Sequence, residues 1–523
     1  MPVKGYTAFH CQDIKWLIRE DVLSHIKERL IPHLSSSAFF EQNFAIKKGK
    51  RKSVWFFTLP GAQENEAYIV KRYLNEHLLA RLKNIIISSK AMRELKAAVA
   101  VARRGMTTPT PVAVGKKGRW GLIKESYVVL EKLKECRDLN TYFLEEYPAS
   151  RSHQSLLEKW KIIRKFGILV RSTHQEGVLQ SDFSLNNFLL TKDDREGLKL
   201  YLTDFEKITI KPALSFDQRV TCLAKLNRVG REVSLADRLR FLKSYLGNDA
   251  SWRKISSLAR TIQERTIELL KKDNLRGRIT SVYTDALYEK YEQESIKGYI
   301  RKGYKTEEIL NVIQKFDLSA KSLPSPDMKQ REEIHIDLTC NGRVQPINVV
   351  RYIPPMSASA LWTKMSTLLI AGIPIDLPHI FVEMKVKSNQ EGYLFIPKRE
   401  NETHLGELLK PSLEKKELLF LIELLVKFMK KLHHFGTFSD KITESNFAVL
   451  EKPGSRPSIY LKNIETFNMK KEILLSEKKR DLAILNGLIK KYYPSLTFDL
   501  TKSYFRHEVH EEAREEGLRL KFE

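Results

Sequence analysis

The run Gln180-Ser181-Asp182-Phe183-Ser184-Leu185-Asn186-Asn187 decides the fold class of this chain. Asp182 precedes Asn187 by five positions, and an apolar run at 200–202 leads into Asp204-Phe205-Glu206. In phosphoryl transfer, one aspartate accepts the proton of the attacking hydroxyl, while an asparagine and a second aspartate hold the metal. The spacing is that of a kinase catalytic loop. We therefore predict Asp182 as the general base, and Asn187 and Asp204 as the ligands of Mg²⁺.

Two upstream residues complete the predicted catalytic set. Lys71 ends the β-like run Tyr68-Ile69-Val70, and Glu94 lies in a helical stretch that Gly105 ends. A strand lysine neutralises nucleotide phosphates, and a helix glutamate holds that lysine as an ion pair. Glu125 and Glu131 are the alternatives to Glu94.

The nucleotide-binding elements are less regular than those of most kinases. A Gly-x-Gly-x-x-Gly loop is absent, and Gly49 is the glycine of the basic run Lys47-Lys48-Gly49-Lys50-Arg51-Lys52. We expect basic side chains to cover the phosphates of ATP there, although a solvated hairpin tip explains the run equally well. Leu130, Glu131 and Leu133, at the end of the strand-like run at 127–130 and just beyond it, are expected to contact ATP together with Lys71.

The order of these features recurs in the second half of the chain. A strand ending in Arg351, a helix before Gly372, and His433 precede the Asn446-Phe447 pair. This alignment places Arg351 opposite Lys71, Leu361 or Trp362 opposite Glu94, Lys441 opposite Asp182, and Asn463 opposite Asp204. A lysine cannot act as a general base at neutral pH, and asparagine binds magnesium weakly. We predict an α+β protein with two tandem protein-kinase-like bilobal domains, the second a degenerate pseudokinase.

These landmarks give a domain division. We expect an N-terminal helical extension at 1–35, the catalytic kinase-like domain at 36–272, a helical join and linker at 273–325, and the pseudokinase at 326–523. The linker is suggested by Ser322-Leu323-Pro324-Ser325-Pro326, in which two prolines interrupt regular structure.

The first domain resembles the bacterial lipopolysaccharide core kinases, kinase-fold enzymes that phosphorylate Kdo or heptose. The resemblance rests on the following segments: Ala91-Met92-Arg93-Glu94, Gly105 to Pro109, Val112-Ala113-Val114-Gly115, Tyr201-Leu202-Thr203-Asp204-Phe205-Glu206, Leu223-Ala224-Lys225-Leu226-Asn227-Arg228, and Ala236-Asp237-Arg238-Leu239-Arg240-Phe241. It implies an ATP-dependent kinase acting on an inner-core sugar. Gln180 departs from the pattern, because a histidine usually precedes the catalytic aspartate by two positions.

The residues around the loop narrow the acceptor. Protein kinases carry a lysine two residues after the catalytic aspartate, where this chain has Ser184, and no Ala-Pro-Glu follows Glu206. A sugar or glycolipid hydroxyl is favoured. A kinase for another small molecule or for a protein is the first alternative. A scaffold without activity, suggested by Gln180 and the missing glycine loop, is the second.

Composition limits the class of protein and its partners. The chain has 523 residues, a formal net charge of +26 and four dispersed cysteines, which argue against a disulfide scaffold or a zinc ribbon. The charge suits an anionic glycolipid and peripheral contact with an anionic inner membrane, although a lysine-rich soluble surface explains it as well. Nucleic acid is an unlikely partner because no binding motif accompanies the charge. No signal peptide or membrane span is recognisable, so we expect a cytoplasmic protein.

Overall fold

The computed structural model describes residues 3–36, 40, 45–49, 52–59, 67–75, 88–119, 122–146, 152–193, 197–229, 233–275, 287–293, 295–320, 331–354, 356–386, 389–399, 401–410, 413–451, 457–496 and 498–505. The chain divides into two compact units. Unit 1 comprises Met1–Asn227 and Val233–Gln263, and unit 2 comprises Arg228–Glu232 and Glu264–Glu523. Each unit contains both helices and sheets, which confirms the predicted α+β class.

Unit 1 begins with a seven-stranded antiparallel sheet in the order β1-β2-β6-β7-β5-β4-β3. Its strands are β1 Tyr6–Cys11, β2 Ile14–Arg19, β3 Ala45–Lys48, β4 Lys52–Thr58, β5 Ala67–Leu74, β6 Ala113–Arg119 and β7 Leu122–Glu131. The helix Lys90–Ala102 packs on this sheet through Ala91 and Leu95, which are fully buried. Ser89 starts the helix because its side chain accepts a hydrogen bond from the N–H of Met92.

The helical extension predicted for residues 1–35 is corrected by strands β1 and β2. They join the sheet through the pairing of β2 with β6. Ile14, Trp16 and Ile18 are all buried, and this alternation is the period of a strand. Helical turns occupy only the second part of the segment, at Glu20–Val22, Leu23–His25, Ile26–Leu30 and Ile31–Ser35.

The rest of unit 1 is mainly helical and carries the loop that the sequence predicts to be catalytic. Its helices are Leu139–Thr141, Tyr142–Glu146, His153–Gln175, Phe216–Leu226 and Leu235–Leu246, followed by Trp252–Leu275, which runs on into unit 2. Its strands are β8 Arg137–Asp138, β9 Val178–Gln180, β10 Phe188–Asp193, β11 Gly197–Leu202 and β12 Ile208–Ile210. The strands form two small sheets, β11-β10-β8 and β12-β9. The turn between β9 and β10 holds Asp182 and Asn187, and the turn between β11 and β12 holds Asp204.

Unit 2 contains a six-stranded antiparallel sheet in the order β13-β14-β17-β18-β16-β15. Its strands are β13 Tyr288–Gln293, β14 Ile296–Arg301, β15 Arg331–Cys340, β16 Arg343–Tyr352, β17 Ile380–Val386 and β18 Asn389–Pro397. Two smaller sheets combine β19 Glu402–His404 with β21 Phe447–Leu450 and β22 Ser458–Leu461, and β20 Thr437–Ser439 with β23 Phe467–Met469. The helices are Thr306–Ala320, Ala358–Ile370, Leu405–Leu409, Lys415–His434 and Leu475–Tyr492.

The join predicted at 273–325 is therefore not purely helical. Strands β13 and β14 form a hairpin that pairs with β17, so they belong to the sheet of unit 2. Gly298 allows this pairing, because a Cβ there would lie 2.0 Å from the carbonyl oxygen of Phe381. The proposed linker at 322–326 lies outside the described residues.

One buried polar pair is common to both units. Nδ1 of His174 lies 2.9 Å from the hydroxyl of Tyr245, and Nδ1 of His433 lies 3.0 Å from the hydroxyl of Tyr504. In the described part of the chain, no helix is both long and apolar enough to span a bilayer.

Candidate active site

Lys71 and Glu94 form a close ion pair in unit 1. Nζ of Lys71, on β5, lies 2.5 Å from Oε1 of Glu94, on the helix Lys90–Ala102. Glu94 is only 1% exposed, and the hydroxyl of Tyr73 donates to its other oxygen at 2.6 Å. The carboxylate is thereby fixed from two sides, and the lysine ammonium is held at the sheet surface.

The two alternatives to Glu94 have other partners. Glu125 accepts from Arg72 at 2.7 Å and from the hydroxyl of Tyr127 at 2.5 Å. Glu131 lies 3.3 Å from a guanidinium nitrogen of Arg19. The structure thus brings Lys71 together with Glu94.

The catalytic loop is closed by its own asparagine. Nδ2 of Asn187 donates to the backbone carbonyl of Asp182 at 2.5 Å, and the carbonyl of Asn187 accepts from the N–H of Thr203 at 2.9 Å. These bonds join the loop to the turn that starts at Asp204. The Asp182 side chain is 60% exposed and lies 3.2 Å from Nζ of Lys207, so it is open to a substrate.

Gln180 anchors the backbone of the Asp204 turn. Its side-chain amide donates to the carbonyls of Thr203 and Asp204, at 3.0 and 2.9 Å, and the residue is 1% exposed. Asp204 has φ 59° and ψ 72°, a left-handed conformation that is uncommon for residues other than glycine. The departure from the usual histidine therefore supplies hydrogen bonds at the strained residue.

Further charged side chains surround Asp204, and only Lys52 among them could be anticipated from the sequence. Nζ of Lys52 lies 3.4 Å from Oδ1 of Asp204 and 3.5 Å from Oε2 of Glu206, and Nζ of Lys90 lies 3.0 Å from Oε1 of Glu206. Both ammonium groups also lie 5.5 Å from the ring centroid of Tyr73. Lys52 belongs to the basic run at 47–52, whereas its proximity to Lys90, Glu206 and Tyr73 arises only in the folded structure.

These charges shift the pKa values of the group. Burial alone would lower the pKa of Lys52, but the carboxylates of Asp204, Glu94 and Glu206 together outweigh burial and raise it. Burial alone would raise the pKa of Glu206, but the hydrogen bond and charge of Lys90, with Lys52, lower it. Both groups are charged at neutral pH.

The residues present fit a magnesium ion. Asp204 and Glu206 share a cation already, since one ammonium lies on both carboxylates, and Asn187 adds an amide oxygen from the adjoining loop. Magnesium prefers such oxygen ligands and commonly takes the rest from phosphate and water. Among the described residues, no three of His, Cys, Asp and Glu are grouped to hold a metal without such help.

Besides Lys71 on β5, the residues expected to contact ATP are Leu130, Glu131 and Leu133, at the end of β7 and just beyond it. Leu130 pairs in register with Ile69 on β5, and Val128, two residues earlier, pairs with Lys71. Leu130 and Leu133 are partly buried, whereas the Glu131 carboxylate is held by Arg19.

The strand positions of unit 2 correct one alignment made from sequence. In unit 1, Arg72 and the hydroxyl of Tyr127 both bond Glu125; in unit 2, Arg351 and the hydroxyl of Tyr393 both bond Glu391, at 2.9 and 3.1 Å. The cross-strand register is also the same, with Arg72 opposite Tyr127 and Arg351 opposite Tyr393. Arg351 is therefore the counterpart of Arg72, and the prediction that it replaces Lys71 is wrong.

Val350 takes the place of Lys71 in unit 2. It is 1% exposed and packs in the same apolar cluster as Trp362. The helices Lys90–Ala102 and Ala358–Ile370 both have 13 residues and both begin after a capping serine, which places Trp362 opposite Glu94. Trp362 stacks on Tyr299 and Phe381, with centroids 5.2 and 5.6 Å away. An aromatic stack thus stands where unit 1 has its ion pair.

The loops of unit 2 keep the backbone form of unit 1 but lack the carboxylates of Asp182 and Asp204, while Glu465 remains at the position of Glu206. Asn463 has φ 45° and ψ 63°, a left-handed conformation like that of Asp204. The backbone carbonyl of Asn463 accepts a hydrogen bond from Nδ2 of Asn446 at 2.8 Å. Lys441 is exposed, at the position of Asp182.

Comparison with known proteins agrees with the geometry of unit 1. Residues 41–245 match the model of the Lipopolysaccharide kinase (Kdo/WaaP) family. This part of the chain is similar to lipopolysaccharide kinases. Members of that family are phosphotransferases that act on sugar hydroxyls, so the predicted resemblance and class of enzyme are confirmed at the level of the family. The matched stretch contains every predicted catalytic and metal-binding residue of unit 1.

Solved structures are also similar to this chain, one of them with a TM-score of 0.36 and 19% identity. It is described as WaaP in complex with acyl carrier protein, and the match covers 49% of this chain and 98% of that one. No curated protein sequence matches this chain.

Proposed function

We propose that unit 1 is an ATP- and Mg²⁺-dependent kinase that phosphorylates a hydroxyl of a lipopolysaccharide inner-core sugar, Kdo or heptose. The observation that carries this proposal is the joint placement of the Lys71–Glu94 ion pair, the Asp182–Asn187 loop and the Asp204 turn within the stretch similar to lipopolysaccharide kinases. A lone Asp-x-x-x-x-Asn has little meaning, but these parts in one unit meet the requirements of phosphoryl transfer.

Each side chain has a role that follows from its surroundings. Asp182 is exposed, and as a carboxylate it can accept the proton of a sugar hydroxyl. Lys71, fixed by Glu94, would hold non-transferring phosphates, while Asp204, Asn187 and Glu206 would hold the metal. Bound ATP supplies the phosphoryl group, and the metal neutralises its charge.

The surface near Asp182 suits an anionic acceptor. Lys207 lies on Asp182 itself, and Nζ of Lys225 donates to the carbonyl of Ser181 at 2.6 Å. Lipopolysaccharide cores are polyanionic, so these lysines would attract the acceptor and orient it. With a net charge of +26, peripheral contact with the cytoplasmic face of an anionic inner membrane is part of the proposal.

We further infer that unit 2 is a non-catalytic, kinase-like domain. Four positions support this inference: Val350, Trp362, Lys441 and Asn463 stand where unit 1 has its lysine, glutamate and two aspartates. Unit 2 keeps Glu465 at the position of Glu206. Without a phosphate lysine, a base or the carboxylate of Asp204, however, it lacks groups that phosphoryl transfer needs.

The direct test is transfer of labelled phosphate from ATP to separate acceptors. Lipopolysaccharide precursors ending in Kdo, precursors carrying heptose, free sugars and a generic protein are compared. We expect labelling of one precursor class, and Asp182→Asn should reduce it by about 10²- to 10⁴-fold. Lys441→Ala, the matched change in unit 2, should leave it unchanged. Preferential labelling of the protein, or full turnover by Asp182→Asn, would contradict the proposal.

A further inference from the structure

Lys52 lies on the carboxylates that are assigned to the metal. It is the first residue of β4, and its backbone carbonyl accepts a hydrogen bond from the N–H of Gly49 at 3.0 Å. Its side chain, 32% exposed, reaches across to Asp204 and Glu206. The ammonium therefore stands where a metal ion would meet these carboxylates.

The two contacts of Lys52 are long for bonds between charged groups. They measure 3.4 and 3.5 Å, whereas an ammonium and a carboxylate usually approach to about 2.7–2.9 Å. A divalent ion, which binds two carboxylates more strongly than one ammonium does, can therefore displace Lys52 from Asp204.

Unit 2 has a cation at the corresponding place, but it is held more firmly. Arg331 pairs in register with Tyr352 on the neighbouring strand, as Lys52 pairs with Tyr73. Its guanidinium lies 3.1 Å from Asn463, 3.3 Å from Glu465 and 2.8 Å from Glu333. Shorter contacts, and a neutral amide where unit 1 has Asp204, make Arg331 a structural cation rather than an exchangeable one.

Charge balance favours exchange in unit 1. Three lysines, Lys52, Lys71 and Lys90, face three carboxylates, Glu94, Asp204 and Glu206. A metal ion arriving at Asp204 adds positive charge there, and the phosphates that accompany it attract the displaced ammonium. The lysine stem is long enough to turn from one to the other without a change in the strand.

We propose that Lys52 occupies the metal carboxylates in the nucleotide-free protein and covers the phosphates once metal and nucleotide bind. It thus replaces the missing glycine-rich loop with one mobile charge. The inference rests on the proposed kinase function of unit 1, since it requires that this site binds a nucleotide and a metal.

The two roles of Lys52 predict opposite effects of one substitution. Removing the charge in Lys52→Met frees Asp204 and Glu206, so Mn²⁺ alone should bind several-fold more tightly. The same variant loses a phosphate contact, so magnesium–ATP should bind about tenfold more weakly. Lys52→Arg keeps a charge and should stay within about threefold of the wild type for ATP.

The experiment uses the full chain and needs no turnover. Free Mn²⁺ is titrated by electron paramagnetic resonance, and magnesium–ATP by calorimetry, for wild type, Lys52→Met, Lys52→Arg and the matched control Arg331→Met. Thermal melting checks that each variant is folded. Lys52→Gln is a second variant that removes the charge, in case Lys52→Met does not fold. Tighter Mn²⁺ and weaker ATP binding by the neutral variants alone support the proposal.

The outcomes separate the two proposals. Unchanged ATP and Mn²⁺ binding in Lys52→Met, with normal binding by the wild type, overturns the role of Lys52 only. Equal losses in Lys52→Met and Arg331→Met show an indirect effect and overturn it too. A folded wild type that binds no nucleotide overturns the kinase function and, with it, this inference.

Discussion

Gln180 is the residue that most clearly links a departure from the family pattern to the geometry of the site. Its amide holds two carbonyls of a turn in which Asp204 is left-handed, a conformation that costs on the order of 1 kcal/mol or more for such a residue. A histidine that would otherwise stand here is not needed, because an amide can donate to both carbonyls at once.

We predict that Gln180→Ala reduces phosphate transfer by about 10- to 100-fold and destabilises unit 1 by about 1–3 kcal/mol, since it leaves buried carbonyls without a partner. Steady-state kinetics and chemical unfolding measure the two effects. Gln180→Glu, which keeps the size but not the amide donors, should resemble the alanine variant. If Gln180→Ala binds metal and transfers phosphate as the wild type does, the turn is held by other contacts.

His174 predicts a pH dependence of stability at the same scale. Burial, with the charge of Arg219, lowers its pKa from 6.5 to about 4. As the pH falls, the unfolded state takes up the proton first. The contribution of His174 to the free energy of unfolding is therefore fully present above pH 6.5 and is lost as the pH falls from 6.5 to 4. The free energy of unfolding lost in this way is about 3 kcal/mol.

Chemical unfolding at several pH values between 7.5 and 4.5 measures the free energy of unfolding of unit 1 and checks this prediction. His174→Gln, which can keep the bond to Tyr245, should show a shallower loss of stability over this window. Identical slopes for the two proteins would show that His174 is not a source of the acid sensitivity.

At the scale of elements, the N-terminal hairpin is part of the sheet on which Lys71 lies. Trp16 is 1% exposed, its ring centroid is 5.8 Å from that of Tyr127, and its Nε1 donates to Oγ of Ser35 at 3.3 Å. A Cβ at Gly115, on the neighbouring strand, would lie 2.7 Å from this ring, so glycine is what admits the indole. The hairpin thus supports β6 and, through β7, the strand of Lys71.

Trp16→Ala should therefore destabilise unit 1 by about 3–5 kcal/mol. Trp252→Ala is the matched control, because that tryptophan is 69% exposed and its loss should change stability by no more than about 0.5 kcal/mol. Denaturant melts of both variants decide the point. A small effect of Trp16→Ala would mean that the hairpin contributes little to the stability of unit 1.

At the scale of the whole molecule, two units of related design differ in the side chains that chemistry needs. Both keep the buried histidine–tyrosine pair, the capped helix and the Arg–Glu–Tyr set on the central strands. The lysine, the glutamate and the two aspartates of unit 1, at 71, 94, 182 and 204, are replaced by Val350, Trp362, Lys441 and Asn463 in unit 2.

We expect the full chain to bind one magnesium–nucleotide complex. Calorimetry should give a stoichiometry near one, Asp204→Asn should abolish the magnesium-dependent part, and Asn463→Ala should leave it intact, because an amide already stands at that position. A stoichiometry near two that falls to one in Asn463→Ala would show that unit 2 binds nucleotide as well.

The sequence by itself determined the features that depend on short spacing. Asp182 and Asn187 share one loop, so the spacing of five positions fixes their relation without knowledge of the fold, and Asp204 directly follows a strand that its apolar run predicts. The two-residue alternation of apolar residues at 14–18 is likewise a local pattern typical of a strand, and it contradicts the helical extension predicted for this segment.

The tertiary structure alone decided which strand residue faces which neighbour. Successive side chains of a strand point to opposite faces, so a shift of one position exchanged Val350 for Arg351 in the alignment with Lys71. The shared bonds to Glu125 and Glu391, together with the matching cross-strand pairs, established the register. The meeting of Lys52, Lys90 and Glu206 likewise joins positions up to 154 residues apart, which no local pattern can encode.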